Sequence, residues 1–369
     1  MSKIAILTDS SCDIPQEMAE KYGIDIMSFH ILLDDVDYVE RESCTNTEFY
    51  DKMRLAKGVP STAAITPIQF CEKYRQYVDE GYTDVIHVPI NKSGSSTYNN
   101  ALMAQGMLRE ERPEHHMKIH LLDPHTYSMV FGWYLCEMAR KLKNGAEISH
   151  VIQEFEKQMN CMEIILGPYS LKQMKKSGRI SAAAAVMGEL MGVRPIITLI
   201  DGKTKVESKV RGDDKVVPAM IELCKKRADG VENFDYMIGH TNIKQAEDLE
   251  KACRKAFGKA PLVVFELGGV VSANTGPDTV ALVYTGHPRG YQNPLRQSLS
   301  ALPAPPKGGA FCISGNLIVL LQMFRFRQKL SPSGELASRQ RWLRGFVFCC
   351  ISCQFMLYSP LLCFFAQLL

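Results

Sequence analysis

Along the first 285 residues, short runs rich in β-branched residues alternate with stretches whose apolar positions recur every three to four residues. Residues 3–7, 84–90 and 118–122 show the first pattern and predict strands, and 24–33 extends it into a longer one. Residues 15–21, 97–108, 127–143 and 148–158 show the second and predict helices. Two more helix starts carry capping signals: Thr45 with Glu48, leading to Leu55, and Thr66-Pro67 with Gln69, leading toward Tyr77. This order predicts an α/β protein whose parallel sheet is covered on both faces. Such sheets gather ligands beyond the carboxyl ends of their strands.

Past residue 160 the pattern changes. Strands are predicted at 162–166, 195–200 and 203–207, the last two joined by Asp201-Gly202, then at 236–239, 262–266 and 279–284. Helices are predicted at 215–227 and 245–257. This reads as a second α/β domain with a mixed, partly antiparallel sheet, so the expected division is 1–160, 161–286 and a tail, 287–369.

Charge sharpens that last boundary. From His287 onward there are nine Lys/Arg and one acid, which leaves 34 basic and 39 acidic residues before it. The body is thus at −5 and the tail at +8, and a mildly acidic body offers no footprint for nucleic acid. The tail holds linker-like Pro303-Ala304-Pro305-Pro306 and an uncharged run of 24 residues, 346–369, long enough to cross a bilayer. It reads as an appendage without a fold of its own, a membrane anchor giving transient contact, or a functional module. The start, Met1 to Ser11, lacks the pattern of a secretory signal, so a cytoplasmic protein is expected. No pair among the body's seven cysteines has metal-ligand spacing, and neither a metal nor a cofactor is expected.

Four polar loops follow or precede these elements: Thr8-Asp9-Ser10-Ser11, Pro60 to Thr66 with Ser61 and Thr62, Ser93 to Tyr98 with Ser95 and Ser96, and Asn274-Thr275-Gly276-Pro277. Hydroxyls and unpaired amides at helix starts suit an anion. Each loop alone is better explained by capping or turn chemistry. No phosphate loop, dinucleotide fingerprint, G-x-S-x-G elbow or H-E-x-x-H occurs. Hydroxyls without an evident base suggest holding a ligand. An enzyme on small metabolites, using an inter-domain cleft with Ser95 or His240 as its active group, stays as the alternative.

In sequence order, several motifs resemble the DegV family. Thr8 to Asp13 is similar to its T-D-S-x-x-D, Pro60 to Phe70 to its P-S-T and T-P-x-x-F, and Ser95 to Tyr98 to its S-G-T-Y. Asp123 with Ser128 and Gly132, then Gly178-Arg179-Ile180-Ser181, then Thr275-Gly276-Pro277 continue the series. The resemblance implies a Rossmann-like first domain, a second α/β domain, and an acyl tunnel between them for a long-chain fatty acid. It implies Thr62 and Ser95 on the carboxylate, Arg179 in the same polar network, and presentation of the lipid to a fatty acid kinase catalytic subunit. Residues 182–186 with Met187, Leu190 and Met191 read, taken alone, as ordinary helix core, and their small and flexible side chains would also suit the tunnel wall. Two positions depart from the family: its late H-T-G-P-G begins with Asn274 here, and its S-G-T-Y glycine is Ser96.

Overall fold

The computed structural model describes residues 3–178 and 192–290, all within one compact unit, Met1–Gln292. Its first sheet is wholly parallel, in the order Ile24–Met27, Ile4–Asp9, Asp84–Val88, Lys118–Leu121. Alternation along the first strand sends Ile6 to one face and Ala5 and Leu7 to the other, so each face needs its own cover. Ile6 packs with Phe131 and Leu135 of the Met129–Lys143 helix. Ala5 and Leu7 pack with Phe70 and Tyr74 of Pro67–Asp79 and Ala101 and Ala104 of Thr97–Glu111. The predicted capping boxes of Thr45 with Glu48 and Thr66 with Gln69 are both formed.

The second sheet has six strands, in the order Lys203–Arg211, Val193–Ile200, Met162–Pro168, Thr279–Thr285, Tyr236–His240, Val264–Glu266. Its pairings are antiparallel except the last. One face, with Ile165, Leu282 and Ile238, packs on the helices Val216–Arg227 and Ile243–Phe257. The other, with Ile164, Leu166 and Ile197, shares a core with Ile6, Ile86 and Phe131 of the first sheet's layer. The change of pattern near Cys161 therefore marks a change of sheet, while one apolar cluster runs through both.

Three sequence expectations change. The run 24–33 is two strands, because Phe29 leaves the ladder: its amide donates to Ser10 Oγ (3.0 Å) and its carbonyl accepts from the Glu40 amide (2.9 Å). The second piece, His30–Leu33, joins Val36–Val39 and Ser61–Ala63 in a small antiparallel sheet. Asp34 and Asp35, at φ 48° and 66°, make the tight turn between its first two strands. The polar stretch at 274–277 is no strand-end loop; Asn274 and Thr275 finish a helix, Gly269–Thr275.

The body also continues past Gly286, where the tail was expected to begin. Arg289 donates to the carbonyls of Met159 and Met162 and pairs with Asp201 (2.5 Å). Among the described residues no helix is long and apolar enough to cross a membrane, and all seven described cysteines are free. The uncharged run 346–369 lies outside the described residues.

Candidate functional site

In the parallel sheet the chain starts at a central strand, adds Ile24–Met27 on one side and then Asp84–Val88 on the other. The carboxyl ends of the two central strands, Ile4–Asp9 and Asp84–Val88, thus frame the crevice where connections diverge. Buried hydrogen bonds close that crevice at its base. Thr8 Oγ1 donates to the Val88 carbonyl (2.7 Å), and Asp9 accepts from the amides of Ile90 (2.7 Å) and Ser11 (3.1 Å). The loop from Asn91 to Ser96 is then shaped locally, with the Ser93 amide donating to Asn91 Oδ1 (2.9 Å). Ser95 Oγ accepts from the Thr97 amide (3.2 Å) and lies 2.8 Å from Thr97 Oγ1, which opens the Thr97–Glu111 helix. Asn100 of that helix donates to the Ile65 carbonyl (2.8 Å), tying it to the segment bearing Thr62.

Above the crevice is a cavity of about 220 Å³. Its apolar wall is one face of the second sheet: Ile164, Leu166, Leu199, Ala281 and Val283. Register pairs Ala281 with Leu166, Val283 with Ile164, and Ile164 with Leu199, so the period-two alternation alone assembles a contiguous surface. Phe29, Ile90, Val270 and Val271 add further apolar lining. The polar lining comes from Thr62, Ser95, Ser96, Asn274 and Thr275, with Tyr127 and Ser128.

Five of the sequence-predicted residues thus meet at one cavity. Two others do not. Ser61 precedes Thr62 on a strand, so when Thr62 points inward opposite Ile31, Ser61 is exposed. Ser10 is 1% exposed and outside the lining, its hydroxyl spent on Glu40 and the Phe29 amide. Arg179 and the predicted tunnel residues 182–186, Met187, Leu190 and Met191 lie outside the described residues. His240 is buried but outside the cavity lining, and burial lowers its pKa. Of the two active groups considered for an enzyme, only Ser95 faces the cavity.

Sequence reasoning missed Tyr127 and the role of Ser128, whose φ of 65° turns its hydroxyl to Asp13. It also missed a buried carboxyl cluster behind the lining: Asp9, Asp13 and Glu40. The two aspartates stood in view inside the T-D-S-x-x-D motif, whereas Glu40 had no signal. Burial pushes all three carboxyls up, Asp9 to about 7. The folded state holds these protons more tightly than the unfolded chain does, so stability falls as pH rises. For Asp9 the contribution is complete below about pH 4 and gone above about pH 7, with a size of a few kcal/mol. The urea midpoint should therefore decline between pH 5 and 8. Asp9→Asn should start lower and decline less; an unchanged slope would show that Asp9 is already ionised at pH 5.

The DegV family model matches residues 3–286. A DegV domain-containing protein of Clostridium perfringens is 28% identical over 293 residues, covering 77% of this chain and 99% of the relative. Among solved structures, a stearic-acid-binding protein from Eubacterium ventriosum aligns with TM-score 0.70 at 23% identity, over 78% of this chain and 98% of that one. At that identity the likeness is one of fold. A fatty-acid-binding DegV family protein from Streptococcus agalactiae aligns with TM-score 0.68 at 26% identity, over 78% and 100%. The family match spans every described strand and every lining residue of the cavity, and the chain belongs to the DegV family.

Proposed function

We propose that this protein binds a long-chain fatty acid, with its carboxylate among Thr62, Ser95 and Ser96 and its acyl chain against the face of the second sheet. One observation carries the reading. Hydroxyl and amide side chains separated by more than 200 residues in sequence line a single cavity whose remaining walls are apolar. An amphipathic lining of this kind fits a ligand with one polar end. Fatty-acid-binding relatives of the same family, such as that of Streptococcus agalactiae, support it.

The energetics divide the labour. Burying roughly 14 methylenes at about 0.8 kcal/mol each gives on the order of 11 kcal/mol before association and ordering costs. The chain supplies affinity, and the polar lining selects a carboxylate and fixes its register. Asn274 spends one Nδ2 proton on the Val270 carbonyl (2.8 Å), an i to i−4 bond within its own helix. Among the described residues its second N–H has no partner and is left for the ligand. The finer proposal, presentation of the bound carboxylate to a kinase subunit for acyl-phosphate formation, rests on the family resemblance and on the half-buried, reachable position of Ser95.

Lipid extraction and mass spectrometry of protein purified from a bacterial host should give about one fatty acid per chain, and labelled oleate should bind at micromolar concentration. No acyl chain in the extract and no oleate binding would overturn the proposal. Acyl phosphate formed with a fatty acid kinase catalytic subunit and ATP tests the finer step separately.

A further inference from the structure

We infer that Glu40 is a positioning residue that seats the Gly269–Thr275 helix, and with it Asn274 and Thr275, at the polar part of the cavity. The inference rests on the fatty-acid reading and deepens it. Glu40 is 5% exposed and does not line the cavity, so it can act only through the groups it holds. Its Oε1 accepts from the Val270 amide (2.7 Å), 230 residues away in sequence. Its Oε2 accepts from Ser10 Oγ, which in turn accepts from the Phe29 amide (3.0 Å). Val270 and Phe29 are both lining residues. One carboxyl therefore joins two separate pieces of the wall.

The helix needs this support. It has seven residues, too few to persist on propensity alone, and its own N-cap residue is Gly268, which has no side chain to offer. The glycine is required for another reason: a Cβ there would collide with the Asp13 carboxyl and come within 2.8 Å of Glu40 Oε1. Asp13 extends the same arrangement to a third piece of wall by accepting from Ser128 Oγ. Glu40 thus replaces a local cap with a remote one, and the helix end bearing Asn274 and Thr275 is set by where that carboxyl sits.

The test compares oleate with oleyl alcohol on the full chain, wild type against Glu40→Gln, Glu40→Asp and Glu40→Ala. Glutamine keeps an acceptor for the Val270 amide and should preserve the acid-over-alcohol preference within about threefold. Alanine should reduce that preference about tenfold or more, with alcohol affinity falling far less than acid affinity, a selective loss that general destabilisation would not give. Aspartate withdraws the carboxylate by one methylene and should shift the preference the same way to a smaller extent, which decides the matter if the alanine variant does not fold. A wild type that discriminates alongside alanine and aspartate variants that discriminate equally well overturns the inference alone. A wild type that binds neither ligand overturns the fatty-acid reading, and the inference with it.

Discussion

Replacing Thr62 by alanine should weaken oleate binding about 10- to 150-fold and leave oleyl alcohol nearly unaffected. A hydrogen bond to a charged group is worth about 1.5–3 kcal/mol, and the carboxylate is the only charge the ligand brings. Thr62 is the cleaner of the two principal positions, since among the described residues its hydroxyl makes no hydrogen bond. Ser95→Ala should show the same preference for hurting the acid. It should also lower stability by about 1 kcal/mol, because Ser95 Oγ accepts the Thr97 amide at the start of a helix. Ser61 supplies the internal control: it neighbours Thr62 on the same strand but faces outward, so Ser61→Ala should change neither ligand's affinity. Calorimetric titration of the three variants with both ligands decides the matter. Equal losses for acid and alcohol at Thr62 would place the headgroup elsewhere.

That contrast between neighbours shows what could be read from the sequence and what could not. Hydroxyl-rich loops at strand ends were visible, as were both capping boxes and the order of the long elements, because each is a local signal. The facing of Ser61 and Thr62 was not, since it depends on the register with His30–Leu33, a strand hidden inside a longer apolar run. The break in that run comes from Phe29, whose backbone bonds to Ser10 and Glu40, partners that no local pattern announces. The hairpin after it turns on Asp34-Asp35 in left-handed conformation, a less familiar turn signal than Asn-Gly. Ser10 shows the opposite failure. A hydroxyl in a motif looked like a ligand group, yet burial and two hydrogen bonds commit it to the scaffold. Glu40 was illegible altogether: an acid in the charged run Glu40-Arg41-Glu42, between a strand and a helix, reads as surface, and only the fold brings the Val270 amide to it. The apolar wall, in contrast, follows from alternation once the strands are known, which is why its residues fall on one face without exception.

The same distinction between local pattern and long-range bond predicts where the body ends. A chain stopped at Gly286, where the strand pattern and the charge balance both change, should unfold about 4–12 °C below one stopped at Gln292. The difference is carried by Arg289. Its guanidinium donates to the carbonyls of Met159 and Met162, at the entry to the Met162–Pro168 strand, and its amide donates to the Asn160 carbonyl (3.0 Å). Its side chain is 20% exposed, so these charge-assisted bonds are largely shielded from water. The pairing with Asp201, which is 40% exposed, adds little by itself. Losing the bonds leaves acceptors short of partners just where the second sheet begins, at a cost of about 2–3 kcal/mol. At about 2–4 °C per kcal/mol for proteins of comparable size, that gives the stated range. Arg289→Ala in the full chain should reproduce most of the shift, because the side chain, not the extra length, makes the bonds. Thermal unfolding of the three proteins side by side provides the check. If the chain ending at Gly286 melts within a degree of the longer one, Arg289 is dispensable and the body closes with the Thr279–Thr285 strand.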